Sequence, residues 1–561
     1  MKYFKHILFT IALLSVGLSA VAQVQSDEEL TGKSAYIQGL EAFESGEYER
    51  AEELLLQAKN NLPDAAGVNF ALADTYLEMN NLPSAALYGK QAVDKDPENK
   101  WYRLKLAHIY RQAGRNEATL DELNTLLEYH PNDFDVLYML ADTYKSYGEF
   151  VRSNEILDKI LRLRGGDSAV LMQKFRNYEA LNLPDSAIVQ LERIREIDPD
   201  NLEMLNLLGQ YYARSGKTAE AKETLNDALE RNARDPQSLI NLAGIYLDEQ
   251  KWDSAGTLLT DFVSDPLNAA EEKMNIARFL YSRVQEQDQN IHLKVETERV
   301  LDAFTATEQD FGPAFTLAGQ YYSQTAQPEK ALENLEQANQ LLPQDEMAWR
   351  QRLQLLLQQE RYEEVTEVGS QAHERVPDDA FIQFFVGSAY MLLENNQEAE
   401  RWLENASRAP ARRPFKSAIY STLGDVRSNL GEHQSSDESY ELALRYDPDN
   451  DNAMNNYAYN LSVRGENLER AKELALKAIE VAPENASYLD TVGWVYFKLG
   501  DYDRAQRFIK ASIDTGVASA EVLEHMGDVY EQLGDMEQAR EWWQQALEKD
   551  PDRTHLQEKI N

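Results

Sequence analysis

Residues 202–235 read LEMLNLLGQYYARSGKTAEAKETLNDALERNARD. Apolar and small residues recur here at helical spacing, first at Leu205, Leu208, Gly209 and Tyr212, then at Ala221, Leu225 and Ala228. Ser215-Gly216-Lys217 breaks the pattern between the two runs. The stretch is therefore two short amphipathic helices joined by a turn. Small residues let the helix axes approach closely, and tyrosine fills the gap between neighbouring helices. A proline stops the second helix of a unit, as Pro199 does just upstream.

Outward from this unit, the pattern repeats every 34 residues. Tyr76, Tyr110, Tyr144, Tyr178, Tyr212 and Tyr246 stand at that step, in a chain where only 29 of 561 residues are tyrosine, so composition does not account for the series. Pro63, Pro97 and Pro131 keep the step, which passes through Gly165 to Pro199. Ala73, Ala107, Ala141, Gly209 and Ala243 lie three residues before their tyrosines, and Ala51, Ala85, Ala187, Ala221 and Ala255 lie nine after the tyrosine positions. Units start near 32, 66, 100, 134, 168, 202 and 236, and again near 312, 346, 380, 417, 451, 486 and 520. Between them, 270–311 keeps Ile276, Ala277 and Leu280, then Val300, Leu301 and Phe304, in a longer, degenerate unit.

These residues and the period resemble the tetratricopeptide repeat family. The resemblance implies an all-α solenoid, a right-handed superhelix of about 15 helix-turn-helix repeats. The predicted organisation is an array over 32–269 with about seven repeats, the extended repeat 270–311 as a possible joint, and a second array over 312–551 with about seven more. The surplus residues of 270–311 are expected in the polar Gln285–Asn290 connection, and residues 552–561 are expected to form a capping helix.

The N-terminus reads as a cleavable secretory signal over 1–22, with Lys2 and Lys5, the apolar stretch Ile7 to Leu18, and Ala20-Val21-Ala22. The apolar run is shorter than the roughly 20 residues that span a bilayer. A segment 23–31 then leads into the repeats. The expected compartment is the periplasm, with secretion second. The 56 basic and 96 acidic residues leave a net charge of 56 − 96 = −40, which disfavours nucleic acid and anionic lipid. With no cysteine there is no disulfide, thiolate metal site or lipid-modified cysteine.

No catalytic constellation emerges. The histidines show neither HExxH nor paired ligand spacing, and no phosphate loop, dinucleotide fingerprint or GxSxG elbow occurs. Asp447-Pro448-Asp449-Asn450-Asp451 imitates the start of a calcium loop, but Asn452 replaces the turn glycine and Ala458 the bidentate glutamate. Proline and Asx turn chemistry explains it, as it does Asp198-Pro199-Asp200-Asn201. No cofactor or metal is expected.

In the tetratricopeptide family the first helix of each unit lines the groove. That implies groove stripes of Phe381, Phe384, Ser388 and Met391, then Asn452, Asn455, Tyr459 and Ser462, then Asp490, Trp494 and Phe497. Rings beside amides and carboxylates suit an extended peptide or a partner helix. The alternative is that the rings fill contacts between repeats. The basic junction Arg408, Arg412, Arg413 and Lys416 suits an anionic partner, or else caps helix ends and pairs with nearby acids. Tyr488-Leu489-Asp490-Thr491-Val492-Gly493-Trp494-Val495-Tyr496, followed by His525-Met526-Gly527-Asp528 and Glu541-Trp542-Trp543, resembles the ending of exported bacterial tetratricopeptide proteins, which implies an adaptor in envelope assembly, secretion or polysaccharide export. The resulting expectation is a non-catalytic scaffold for other envelope proteins, without membrane insertion. Its rivals are a component of an export machine docked to an outer-membrane channel and, further off, a glycan-modifying enzyme.

Overall fold

The computed structural model describes residues 27–561. The proposed signal over 1–22, and residues 23–26 of the segment after it, lie outside the described residues. Among those described there are thirty-one helices and no strand. Thirty of them form fifteen successive helix pairs, closed by the short helix Leu556–Ile560. The chain divides into two compact units, one ending at Ala255 and the other spanning Gly256–Asn561. The division falls within the helix Trp252–Ser264, upstream of the 270–311 stretch singled out as a joint.

Several boundaries differ from the sequence reading for identifiable reasons. The helix Asp27–Glu44 covers 27–31 of the segment 23–31, with the acidic residues Asp27, Glu28 and Glu29 among them. The helix expected near 417 starts at Arg413, since Pro414 fits the first turn, where its missing N–H is no loss. In 270–311 the surplus residues lengthen both helices to 17 residues each, Ala270–Glu286 and Ile291–Thr307, leaving a link of residues 287–290.

The period has a contact behind each of its positions. Ala73, Ala107, Ala141, Ala243, Ala51, Ala85, Ala187, Ala221 and Ala255 are all buried at 0–1% exposure. A Cβ placed on Gly209 would lie 2.8 Å from Leu225 of the paired helix, so the smallest side chain sets the approach. The tyrosines serve twice. Their carbonyls accept the N–H five residues on, as from Lys217 to Tyr212 at 2.9 Å and from Asn81 to Tyr76 at 2.8 Å, which closes the helix end around a residue of positive φ such as Gly216 at 74°. Their rings are less enclosed than the sequence reading holds. Tyr76 and Tyr212 are buried, while Tyr110, Tyr144, Tyr178 and Tyr246 are half-buried under Arg115, Arg152, Lys174 and Lys222.

The Asx residues keep the same step as N-caps. Asn99, Asp133, Asp167, Asn201 and Asp235 each accept from backbone N–H groups of the helix that follows, a contribution of about 1 kcal/mol apiece. In the calcium-like string, Asn450 caps the helix Asp451–Arg464 and Asp447 accepts from the Asp449 N–H at 3.2 Å. The final helix buries Leu556 against Leu523, Ala539, Trp543 and Ala546, closing the last pair.

Gly493 gives the sharpest test of the close approach. A Cβ there would sit 2.5 Å from Ile509 Cγ1 and 3.1 Å from both the Ala505 carbonyl oxygen and the Ile509 nitrogen. Gly493→Ala is expected to destabilise the second unit by about 1–3 kcal/mol in urea unfolding, although in an open helix interior the same change stabilises.

Candidate functional site

The three stripes all fall on the second unit, and the structure treats their members differently. On the helix Ala380–Leu392, Phe381 stacks on Phe415 with ring centroids 3.9 Å apart, and Phe384 meets the same ring edge-on at 5.2 Å. The Arg350 guanidinium lies 4.9 Å from the Phe381 ring and is held by Glu346 and by the buried Asp379. Phe381 remains 37% exposed. Phe384 and Met391 are half-buried against residues of neighbouring helices, among them Leu403 and Leu423, and Ser388 is buried. Phe384 and Met391 fill contacts between repeats.

On Asp451–Arg464, Asn452 is exposed. Asn455 is buried, with its Nδ2 donating to Asn456 at 3.2 Å and its Oδ1 unpartnered. The Tyr459 hydroxyl donates to the Glu521 carboxylate, a contact that reaches past the intervening repeat. Burial and that carboxylate push the Tyr459 phenol upward. Ser462 donates to the Tyr459 carbonyl at 2.7 Å.

On Ala486–Lys498 the third stripe converges with His525, which the sequence reading placed in the C-terminal resemblance and not in the groove. His525, from the helix Ala520–Leu533, has Nδ1 at 3.0 and 3.1 Å from the two oxygens of Asp490. Both side chains are buried, at 5% and 6% exposure. Trp494 stacks on the imidazole at 3.9 Å and 14°, and on Phe497 at 4.6 Å and 6°, with Lys498 Nζ 4.8 Å from its ring. Burial alone favours neutral imidazole, but Asp490, with Glu521 and Asp528 behind it, raises the His525 pKa above its ordinary value of 6.5. Next to this pile, Glu524 is gripped by Arg553 at 2.6 Å and His555 at 2.8 Å, and burial notwithstanding those contacts hold its carboxyl low.

A second polar group also escaped the sequence reading. Burial pushes the Asp425 carboxyl up to about 6, although Tyr440 donates to it and Asn456 reaches it at 3.1 Å. Asn460 donates to the Tyr440 hydroxyl at 2.8 Å. The missed pairs share a register. Asn456 and His525 each stand five residues past the start of their unit, and each binds an acid on the first helix of the preceding one. Superposing the units in sequence and looking for a donor at that position would have found both.

Three of the four residues of the basic junction are committed internally. Arg413 donates to the Tyr446 and Arg445 carbonyls at 3.3 and 3.1 Å, Lys416 to the Ser407 and Ala409 carbonyls, and Arg408 to Glu404 at 2.9 Å. Burial lowers the Lys416 ammonium pKa. Arg412 is the N-cap residue of Arg413–Asn429 and is exposed. Of the alternatives, capping of helix ends is the one this geometry displays.

Family models described as tetratricopeptide repeat match residues 36–100, 84–143, 178–239, 267–415, 417–450, 486–515 and 520–553. The chain is 27% identical over 158 residues to a TPR repeat-containing protein of Pseudomonas aeruginosa, covering 28% of this chain and 26% of that one. It is 25% identical over 276 residues to cellulose synthase operon protein C of Xanthomonas axonopodis pv. citri, covering 49% of this chain and 16% of the relative. It thus matches about a quarter and about a sixth of the length of these relatives. A solved structure titled for the APC/C hetero-tetramer Cut9-Hcn1 aligns over 88% of this chain and 95% of that chain, at 14% identity and a TM-score of 0.38. No described helix is long and apolar enough to cross a membrane.

The Asp490–His525 pair makes stability depend on pH with a definite sign. Because the folded pKa of His525 lies above 6.5, the pair's contribution is complete below that pH and is lost as pH rises through the folded value. Relative to the parent in the same buffer, Asp490→Asn is expected to cost about 3 kcal/mol in urea unfolding at pH 5.5 and much less at pH 9, flattening the pH dependence between them.

Proposed function

The chain belongs to the tetratricopeptide-repeat family, whose repeats are protein-interaction scaffolds, and from that premise we propose that it is a non-catalytic scaffold in the periplasm, docking other envelope proteins on the 381–528 stripe. The observation that carries the docking site is the pile of Phe497, Trp494 and His525 over Asp490, with Lys498 beside it. A half-buried tryptophan held flat by stacking has little conformational freedom left to lose on binding, and such rings dominate interface energetics. Phe381 and Asn452 extend the surface with an exposed ring and an exposed amide. The net charge of −40 favours a neutral or basic partner segment.

The compartment rests on the signal-like residues 1–22, with secretion as the second choice. A narrower reading, a part in polysaccharide export, is favoured by the relatives named cellulose synthase operon protein C in Xanthomonas axonopodis pv. citri and Pseudomonas fluorescens, the latter 24% identical over 221 residues.

Osmotic-shock fractionation followed by in-cell crosslinking and mass spectrometry tests the proposal. The expected result is recovery in the periplasmic fraction, with protein crosslinks concentrated on 381–528. Trp494→Ala is expected to lower partner capture by about tenfold or more, as for a buried aromatic anchor, with the circular dichroism spectrum unchanged. Protein crosslinks that avoid this stripe, or capture indifferent to Trp494, would sink the docking site, and recovery only in the cytoplasm would sink the location.

A further inference from the structure

A separate cavity of about 620 Å³ opens among the first helices of three repeats, Ala270–Glu286, Gly312–Gln324 and Glu346–Gln358. Its lining holds six glutamines: Gln285, Gln320, Gln324, Gln351, Gln354 and Gln358. Tyr281 and Ser323 add hydroxyls, and Met347 and Leu355 supply the apolar contacts. No charged side chain lines it, in a chain where 27% of residues are charged. The comparably sized cavity of about 660 Å³ near Tyr457 shows the contrast, since Asp437, Glu438, Glu441, Arg445 and Glu466 line it.

Four of the six amides are uncommitted, while Gln285 and Gln324 both engage the Tyr281 hydroxyl. Tyr281 donates to Gln324 Oε1 at 2.8 Å, which leaves the Gln324 amide N–H groups available. The Oε1 of Gln351 is buried without a partner, and among the described residues Gln320, Gln354 and Gln358 make no side-chain hydrogen bond. Arg350, on the same helix, is held by Glu346 and Asp379. A primary amide offers two donors and one acceptor in one plane with no net charge. Several converging on one space match a ligand that is itself a dense array of uncharged donors and acceptors.

We propose that this cavity binds a neutral oligosaccharide. Adjacent ring hydroxyls present donor and acceptor together at the spacing a single amide can bridge, while the ring C–H faces meet Tyr281 and Met347. The volume lies within the range of small-ligand sites. An anionic glycan would enter the field of a chain of charge −40 with no fixed cation in the lining to offset it, and a cationic ligand would find no carboxylate there. A polypeptide draws its affinity from buried anchor side chains, and two aliphatic residues and one phenol ring offer few places for them. The site stands apart from the Trp494 surface and does not depend on that reading.

Calorimetric titration of the full chain, with cellohexaose and maltohexaose as neutral probes, tests this. An oligogalacturonate and an uncharged glycine-serine-alanine peptide serve as comparators. The expected outcome is that at least one neutral hexaose binds, with little dependence on salt. Joint Gln320→Ala and Gln354→Ala should then weaken it by about tenfold or more, the loss of two hydrogen bonds. Gln354→Glu, nearly isosteric, is expected to weaken it as well, while Trp494→Ala leaves it unchanged. All three glutamine changes are at residues that are not buried, so circular dichroism should match the parent. Failure of both hexaoses to bind, binding indifferent to the glutamines, or preference for the anionic oligomer or the peptide would each overturn the proposal.

Discussion

Everything in this chain depends on how near two helices of a repeat can come. Where Gly209 faces Leu225 and Gly493 faces Ile509, the backbone of one helix lies against the side chains of its partner. The alanines at the equivalent positions are buried at 0–1% exposure. Interiors are close-packed, so one added methyl group at such a contact displaces a helix. The approach repeated over fifteen pairs makes the 34-residue period a physical spacing, with each unit stabilised chiefly by its neighbours.

The approach also decides where polar chemistry can stand. Packing positions are reserved for small and apolar groups, so the excess acid is distributed over outer faces, caps and junctions. Where a carboxylate is nonetheless buried, it is answered. Asp379 holds Arg350 and caps its own helix, accepting from the Phe381 N–H at 2.8 Å, and Asp490 holds His525. Lys273, at 0% exposure, is paired with Glu308. Such pairs offset a large desolvation penalty and contribute specificity of register more than net stability. The glutamine cavity is the complementary case, a face from which charge of either sign is missing.

Two kinds of surface therefore coexist in the second unit. The stripe ending at Trp494 is aromatic, acidic and stacked, which suits a protein segment. The cavity beneath Gln354 is amide-lined and open, which suits hydroxyls. Both lie on first helices of their repeats, and only the residues at a few register positions separate them.

The amino-acid sequence alone determined the all-α repeat architecture, the period and the helix-pair starts from 66 to 236, because Tyr, Pro, Ala and Gly mark every unit with the same local demand. It also named Trp494, Asp490 and Tyr459 from helical spacing on single helices. It did not foresee that the helix opening the unit at 417 extends back to Arg413, or that both helices of 270–311 are lengthened, where a proline and helix extension override the period. Only the tertiary structure decided that Phe384 and Met391 are packing residues, that Arg413 and Lys416 cap helix ends, and that His525 belongs with Asp490, 35 residues away. The same holds for the glutamines, scattered over 285–358 in sequence and brought to one space. The reason is physical: within a helix, neighbours follow from a fixed 3.6-residue turn, whereas contacts between repeats depend on how adjacent helices settle against one another, and that is set by packing throughout the pair.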